Sequence, residues 1–128
     1  MFNKNQLDAI DEVLCANLIE AGIDHVIFID MAGNTIAKHD NGKNSLDSVA
    51  FAALAAGNFA AVDAMAKLVG ESEFSLLFHK GEESSIHFSK VSDDTILITM
   101  FTKDISLGLI RLKVGEAIKR INKILVEN

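Results

Sequence analysis

The sequence predicts an α/β (α+β) sandwich: one five-stranded antiparallel sheet with helices on both faces, in the order α-β-β-α-β-β-β-α. Three observations predict it. Residues 46–70 form one helix-long apolar run bounded by polar signals. Residues 25–30 and 95–101 are apolar at both parities and rich in β-branched side chains, the pattern of strands covered on both faces. The other strand-like segments are separated by tight turn signals, so neighbours pair antiparallel.

Taken in order, Asn5 with Asp8 three residues later resembles a helix cap. Leu7, Ile10, Leu14, Leu18 and Ala21 then trace one face until Gly22 ends the helix. The first central strand, 25–30, turns through Met31-Ala32-Gly33-Asn34, with Gly33 at positive φ, into a return strand over 35–39. After the long helix come strands at 74–79, 85–89 and 95–101, joined by Gly81-Glu82-Glu83 and Ser92-Asp93-Asp94, which make a meander. Ser106 caps a last helix that points Leu107, Ile110, Val114, Ala117, Ile118, Ile121 and Leu125 inward. Strand 74–79 falls at a sheet edge. Its apolar Phe74, Leu76, Leu77 and Phe78 make that edge sticky, and pairing with the same strand of a second copy would cover it. A homodimer through Phe74, Leu76 and Phe78 is the expectation.

The run at 46–70 is the element around which the chain is organised. Ser45 or Asp47 can cap its start and Gly70 its end. Phe51, Leu54, Val62, Met65 and Val69 recur at helical spacing and read as the buried stripe, whereas Ala53, Gly57, Ala60 and Ala64 form a smooth second stripe that reads as an interface. An Ala-rich buried helix favoured by propensity alone would show the same run. Asp47, Asp63 and Lys67 bracket an apolar stretch shorter than the roughly 18 residues a bilayer requires, so no membrane span is predicted.

Composition narrows the classes. The 128 residues are 49% hydrophobic and 23% charged without proline, tryptophan or tyrosine, which reads as one globular domain over 1–128. Cys15 is the only cysteine, so a reducing compartment fits; the first residues carry neither a basic nor an apolar leader region, and a cytoplasmic location is expected. A net charge of -6 repels a phosphate backbone and argues against nucleic acid. No catalytic constellation emerges. Gly42-Lys43 lacks the rest of a P-loop, the Asp30-Met31-Ala32-Gly33 stretch lacks the P-loop a GTPase needs, and His25, His39, His79 and His87 have no metal-ligand spacing. No nucleotide, cofactor or metal site is expected, and no enzyme active site.

Several stretches together are recognisable: the strand ending Phe-Ile-Asp, the D-x-x-G turn, the helix LAAGNFAAVDAMAKLVGE and the ending SLGLIRLKVGEAIKRI. The chain strongly resembles the bacterial roadblock/dynein-light-chain family from Leu14 to Leu125, most specifically from Ala55 to Glu71. The resemblance implies a homodimer with a sheet continuous across its two-fold axis, binding a Ras-like small GTPase of the MglA type on a surface built by both copies of the long helix. Ala60 and Ala64 match the family's GTPase-facing positions; Ala53, Ala56 and Gly57 extend that surface by helical geometry. It also implies a GTPase-activating role in cell polarity and motility. The only arginines, Arg111 and Arg120, lie at the last helix, which the family places opposite the long helix, so no arginine finger is expected. Activation would instead order the GTPase's own residues. The same dimer and docking face would serve a non-catalytic scaffold for a GTPase or motor complex. Several members continue beyond the last helix, whereas this sequence stops at Asn128, and functions resting on such a tail are not carried over.

Overall fold

The computed structural model describes residues 2–43, 46–71 and 76–126, with the backbone alone for 76–78. Helix α1, Lys4–Val13, begins two residues earlier than expected. Asn3 is its cap: Oδ1 of Asn3 accepts from the Gln6 amide at 2.8 Å, and Oε1 of Gln6 accepts from the Asn3 amide at 2.9 Å. The reciprocal pair satisfies two orphan donors, which leaves Asn5 and Asp8 inside the helix on its exposed side. Past Val13 the chain widens into a π-helical turn, Leu14–Ile19, where the amides of Glu20 and Ile23 donate to the carbonyls of Cys15 and Leu18, five residues back. Ile10, Leu14 and Leu18 stay fully buried through this change of pitch. Gly22, with φ +108°, ends the segment.

Strands β1 (His25–Asp30), β2 (Thr35–Asp40), β3 (Leu76–Lys80), β4 (Ser84–Ser92) and β5 (Thr95–Thr102) form one antiparallel sheet in the order β2-β1-β5-β4-β3. The two strands apolar at both parities, β1 and β5, are the inner pair, as their sequence demands, and β3 is an edge. Phe74 lies outside the described residues. Alternation along the strands divides two cores. Val26, Phe28, Leu97 and Phe101 face α1, the π-helical turn and α3 (Leu107–Val126). Ile27, Ile29, Phe88, Ile96 and Ile98 face α2 (Ser48–Leu68). Hydroxyl Oγ of Ser106 accepts from the Leu109 amide at 3.1 Å and caps α3 as expected. The first and last helices thus share one face and the long helix takes the other, which places both arginines on the side away from α2.

One stretch of the α3-side layer is polar. Ser85, His87 and Ser89 of β4 and Thr99 of β5 are buried there, His87 and Thr99 completely. Neither ring nitrogen of His87 nor the hydroxyl of Thr99 has a hydrogen-bond partner among the described residues. Burial, and the guanidinium of Arg111 beside it, push the His87 pKa down to about 4.

Candidate partner-binding site

Helix α2 crosses the sheet. Near its start, Ser48 Oγ accepts from Lys38 Nζ of edge strand β2 at 2.8 Å; ten residues on, Asn58 lies 3.3 Å from the His79 ring of the opposite edge, β3. Asp47 caps it, Oδ1 accepting from the Ala50 amide at 3.1 Å, and Gly70 follows at φ +90°. The alternative cap, Ser45, lies outside the described residues. At 21 residues the helix is long and apolar enough to cross a membrane, contrary to the expectation of a shorter run. Its caps and its contacts along the sheet make it an integral layer of this fold.

The face expected to be buried is not the one that is. Against the sheet lie Ala52, Ala55, Ala56, Phe59 and Ala66, all under 5% exposed, whereas Leu54, Met65 and Val69 are 73%, 55% and 71% exposed and Phe51 and Val62 only half-buried. Small side chains let the helix axis approach the strands, and Phe59 fills the remaining space. Periodicity identifies stripes on a helix but not which one faces inward. The smooth stripe is at the surface: Ala53, Gly57, Ala60 and Ala64, at steps of four, three and four, are all exposed. Ala56 is not part of it. At about 100° per residue, position 56 lies on the side of Ala52, and its side chain is 4% exposed against the sheet. A partner docking on α2 cannot reach it.

Beside the smooth stripe runs a second exposed row, Leu54, Ala61, Met65 and Leu68, at steps of seven, four and three. Together they leave α2 with a broad apolar outer surface. The spacing of Leu54 and Met65 was visible in the sequence, but their outward direction was not. Past Phe59 only Ala66 of the helix is buried. The exposed bulk of Met65, Leu68 and Val69 therefore gathers in the half that follows the Asn58 contact with edge strand β3. Leu76 and Phe78, the dimer residues expected on that edge, pair in register with Ser89 and His87 of β4.

The β1–β2 turn fixes one end of this surface. Asp30 Oδ1 accepts from the amides of Ala32 at 3.0 Å and Asn34 at 2.9 Å, and Oδ2 accepts from the Asn34 side chain at 3.1 Å. Slight burial works to raise the Asp30 pKa, but the hydrogen bonds from Asn34, Ala32 and Gly33 together outweigh it and hold the carboxyl below its ordinary range. Gly33 has φ +91°, and a Cβ there would sit 3.1 Å from Ala53 Cα, so the glycine is required both by the turn and by the approach of α2. Gly33→Ala is expected to cost about 1–3 kcal/mol in urea unfolding, through strain and the outward shift of α2 at Ala53.

These features can be compared with known proteins. A family described as the Roadblock/LC7 domain matches residues 10–101. No curated protein matches the chain. Among solved structures, MglB from Myxococcus xanthus is 31% identical over 99% of this chain and 94% of its own, with a TM-score of 0.91. The gliding protein MglB from Thermus thermophilus is 27% identical over 100% and 96%, with a TM-score of 0.89. An MglB described with a tetrameric arrangement is 26% identical over 99% and 94%, also at 0.89. The strand order, the placement of the helices and these matches together show that the chain belongs to the Roadblock/LC7 domain family.

Proposed function

We propose that this MglB-like roadblock chain regulates a Ras-like small GTPase of the MglA type, working in the cytoplasm as a homodimer of single roadblock domains, residues 1–128, and stimulating hydrolysis without an active site of its own. One observation carries the reading: the outer surface of α2 is apolar and exposed, with a smooth row of Ala53, Gly57, Ala60 and Ala64 beside a bulky row of Leu54, Met65 and Leu68. The division of labour follows from shape. Bulky side chains suit the helix–helix contact between two copies, formed when β3 edges pair and bring both α2 helices together. Smooth positions suit close approach of a GTPase backbone. Both arginines belong to α3, on the opposite face, so the GTPase keeps its own catalytic groups and the dimer selects the state in which they are ordered. The gliding protein from Thermus thermophilus supports a role in motility; a role in cell polarity is part of the same proposal.

Two measurements test this. Leu68→Glu leaves the isolated chain intact, because Leu68 is 86% exposed, and is expected to weaken dimerisation about tenfold or more in sedimentation. Titration of the dimer against the GTPase in its GTP-analogue and GDP forms is expected to show tighter binding to the GTP form. Equal affinity for both forms would rule out state selection, since a ligand indifferent to two states shifts neither.

A further inference from the structure

On the face away from α2, where β3 and β5 end and β4 and α3 begin, lies a groove of about 300 Å³. Its lining is Lys80, Ser85, Phe101, Lys103, Ile105 and Leu107. The floor is apolar: Phe101 is buried, and Ile105 and Leu107 pack partly buried against the same core. Two ammonium groups stand at its rim in a chain whose net charge is -6. Lys80 has no ion-pair partner among the described residues. Lys103 shares Glu83 at 3.7 Å, but those side chains are 64% and 81% exposed, so water screens the pair and leaves the lysine available. Glu82 and Asp104, the other acids next to the rim, are exposed to solvent.

A second observation points the same way. Ser85 is 6% exposed, lines the groove, and makes no side-chain hydrogen bond among the described residues. One alternation inward on the same face of β4 is fully buried His87, whose ring nitrogens and whose neighbour Thr99 are also unpartnered. Arg111, one turn along α3 from Leu107, adds positive potential over this stretch, and that potential together with burial holds His87 neutral. The groove therefore combines an apolar floor, the Ser85 hydroxyl and two lysines in one lining. Its volume is at the small end of the roughly 300–1,000 Å³ typical of ligand pockets.

We propose that this groove binds a small amphipathic carboxylate, its apolar body on Phe101, Ile105 and Leu107 and its charge between Lys80 and Lys103 within reach of the Ser85 hydroxyl. The partner class follows from the combination. An inorganic anion would leave the apolar floor exposed, and a neutral apolar molecule would leave the lysines and Ser85 unused. This site lies apart from the α2 surface and does not need the GTPase reading, although Lys80 ends β3, the strand proposed to pair between copies.

The test is an NMR titration of the dimer with octanoate, with acetate and octanol as controls. Octanoate is expected to shift the amide resonances of Phe101, Lys103, Ile105 and Leu107 saturably, with a dissociation constant of about 0.1–1 mM. Acetate and octanol are expected to bind at least tenfold more weakly. Lys80→Glu with Lys103→Glu is expected to weaken octanoate by at least tenfold, and Ser85→Ala by about tenfold. Sedimentation of the charge-reversed variant checks that the dimer is retained; where it is not, Lys103→Glu alone and Ser85→Ala decide. Absence of saturable shifts below about 10 mM, equal binding of octanol, or undiminished binding by these variants would overturn the proposal.

Discussion

Arginine at Ala60 or Ala64 is expected to abolish GTPase binding while leaving the dimer folded. Both positions are exposed on the smooth row of α2, so the longer side chain meets only solvent in the unbound protein. In a complex it would hold two backbones apart and bury a charge without a partner. An uncompensated buried charge costs about 3–5 kcal/mol, or roughly a thousandfold in affinity. Circular dichroism and sedimentation check the fold and the dimer, and titration against the GTP-analogue form checks binding. Ala56→Ser, at a position turned to the sheet, is the informative contrast: its effect should appear in stability and not in affinity. Normal binding by both Ala60→Arg and Ala64→Arg would remove the smooth row from the docking surface.

Acid is expected to weaken the fold through His87. Its folded pKa is lowered to about 4 from the model-compound value of 6.5. The unfolded chain therefore binds more protons than the folded one between those values. Stability on this account is fully present above about pH 6.5, falls as the pH drops through the window, and levels off below about pH 4, the whole loss being at most about 3 kcal/mol. His87→Leu removes the titration together with two unpartnered ring nitrogens. It is expected to flatten the pH dependence of urea unfolding between pH 4 and 6.5 and to leave stability at pH 7 unchanged or higher. Asp30, whose pKa is also lowered, acts only below the ordinary carboxylate range and does not mimic this window. An undiminished acid loss in His87→Leu would assign it to other groups.

The fold was legible because its determinants are local. Strands β1 and β5 announced their central place by apolar residues at both parities, and Gly33 and Ser106 announced their turn and cap by residue type. The first cap was misplaced because Asn3 with Gln6 and Asn5 with Asp8 offer competing arrangements, and only the reciprocal pair satisfies two donors. The inversion of α2 had a deeper cause. A helix packed tightly on a sheet can prefer alanine inside, and its large apolar side chains then serve another surface. Hydrophobic size, taken as a guide to burial, pointed the wrong way for Leu54 and Met65, and the extension of the smooth stripe by helical geometry took in Ala56, which the sheet covers. His87 was silent in the sequence, since nothing in its neighbours along β4 tells which face is covered by α3.

The central claim is that the dimer activates its partner by ordering the partner's own catalytic residues. Single-turnover GTP hydrolysis by the cognate Ras-like GTPase, with and without this protein, tests it most directly. The account predicts acceleration that persists when Arg111 and Arg120 are both replaced by lysine and that disappears with Ala60→Arg. Binding without acceleration would make the chain a scaffold and contradict the account, and acceleration lost with the arginines would contradict its mechanism.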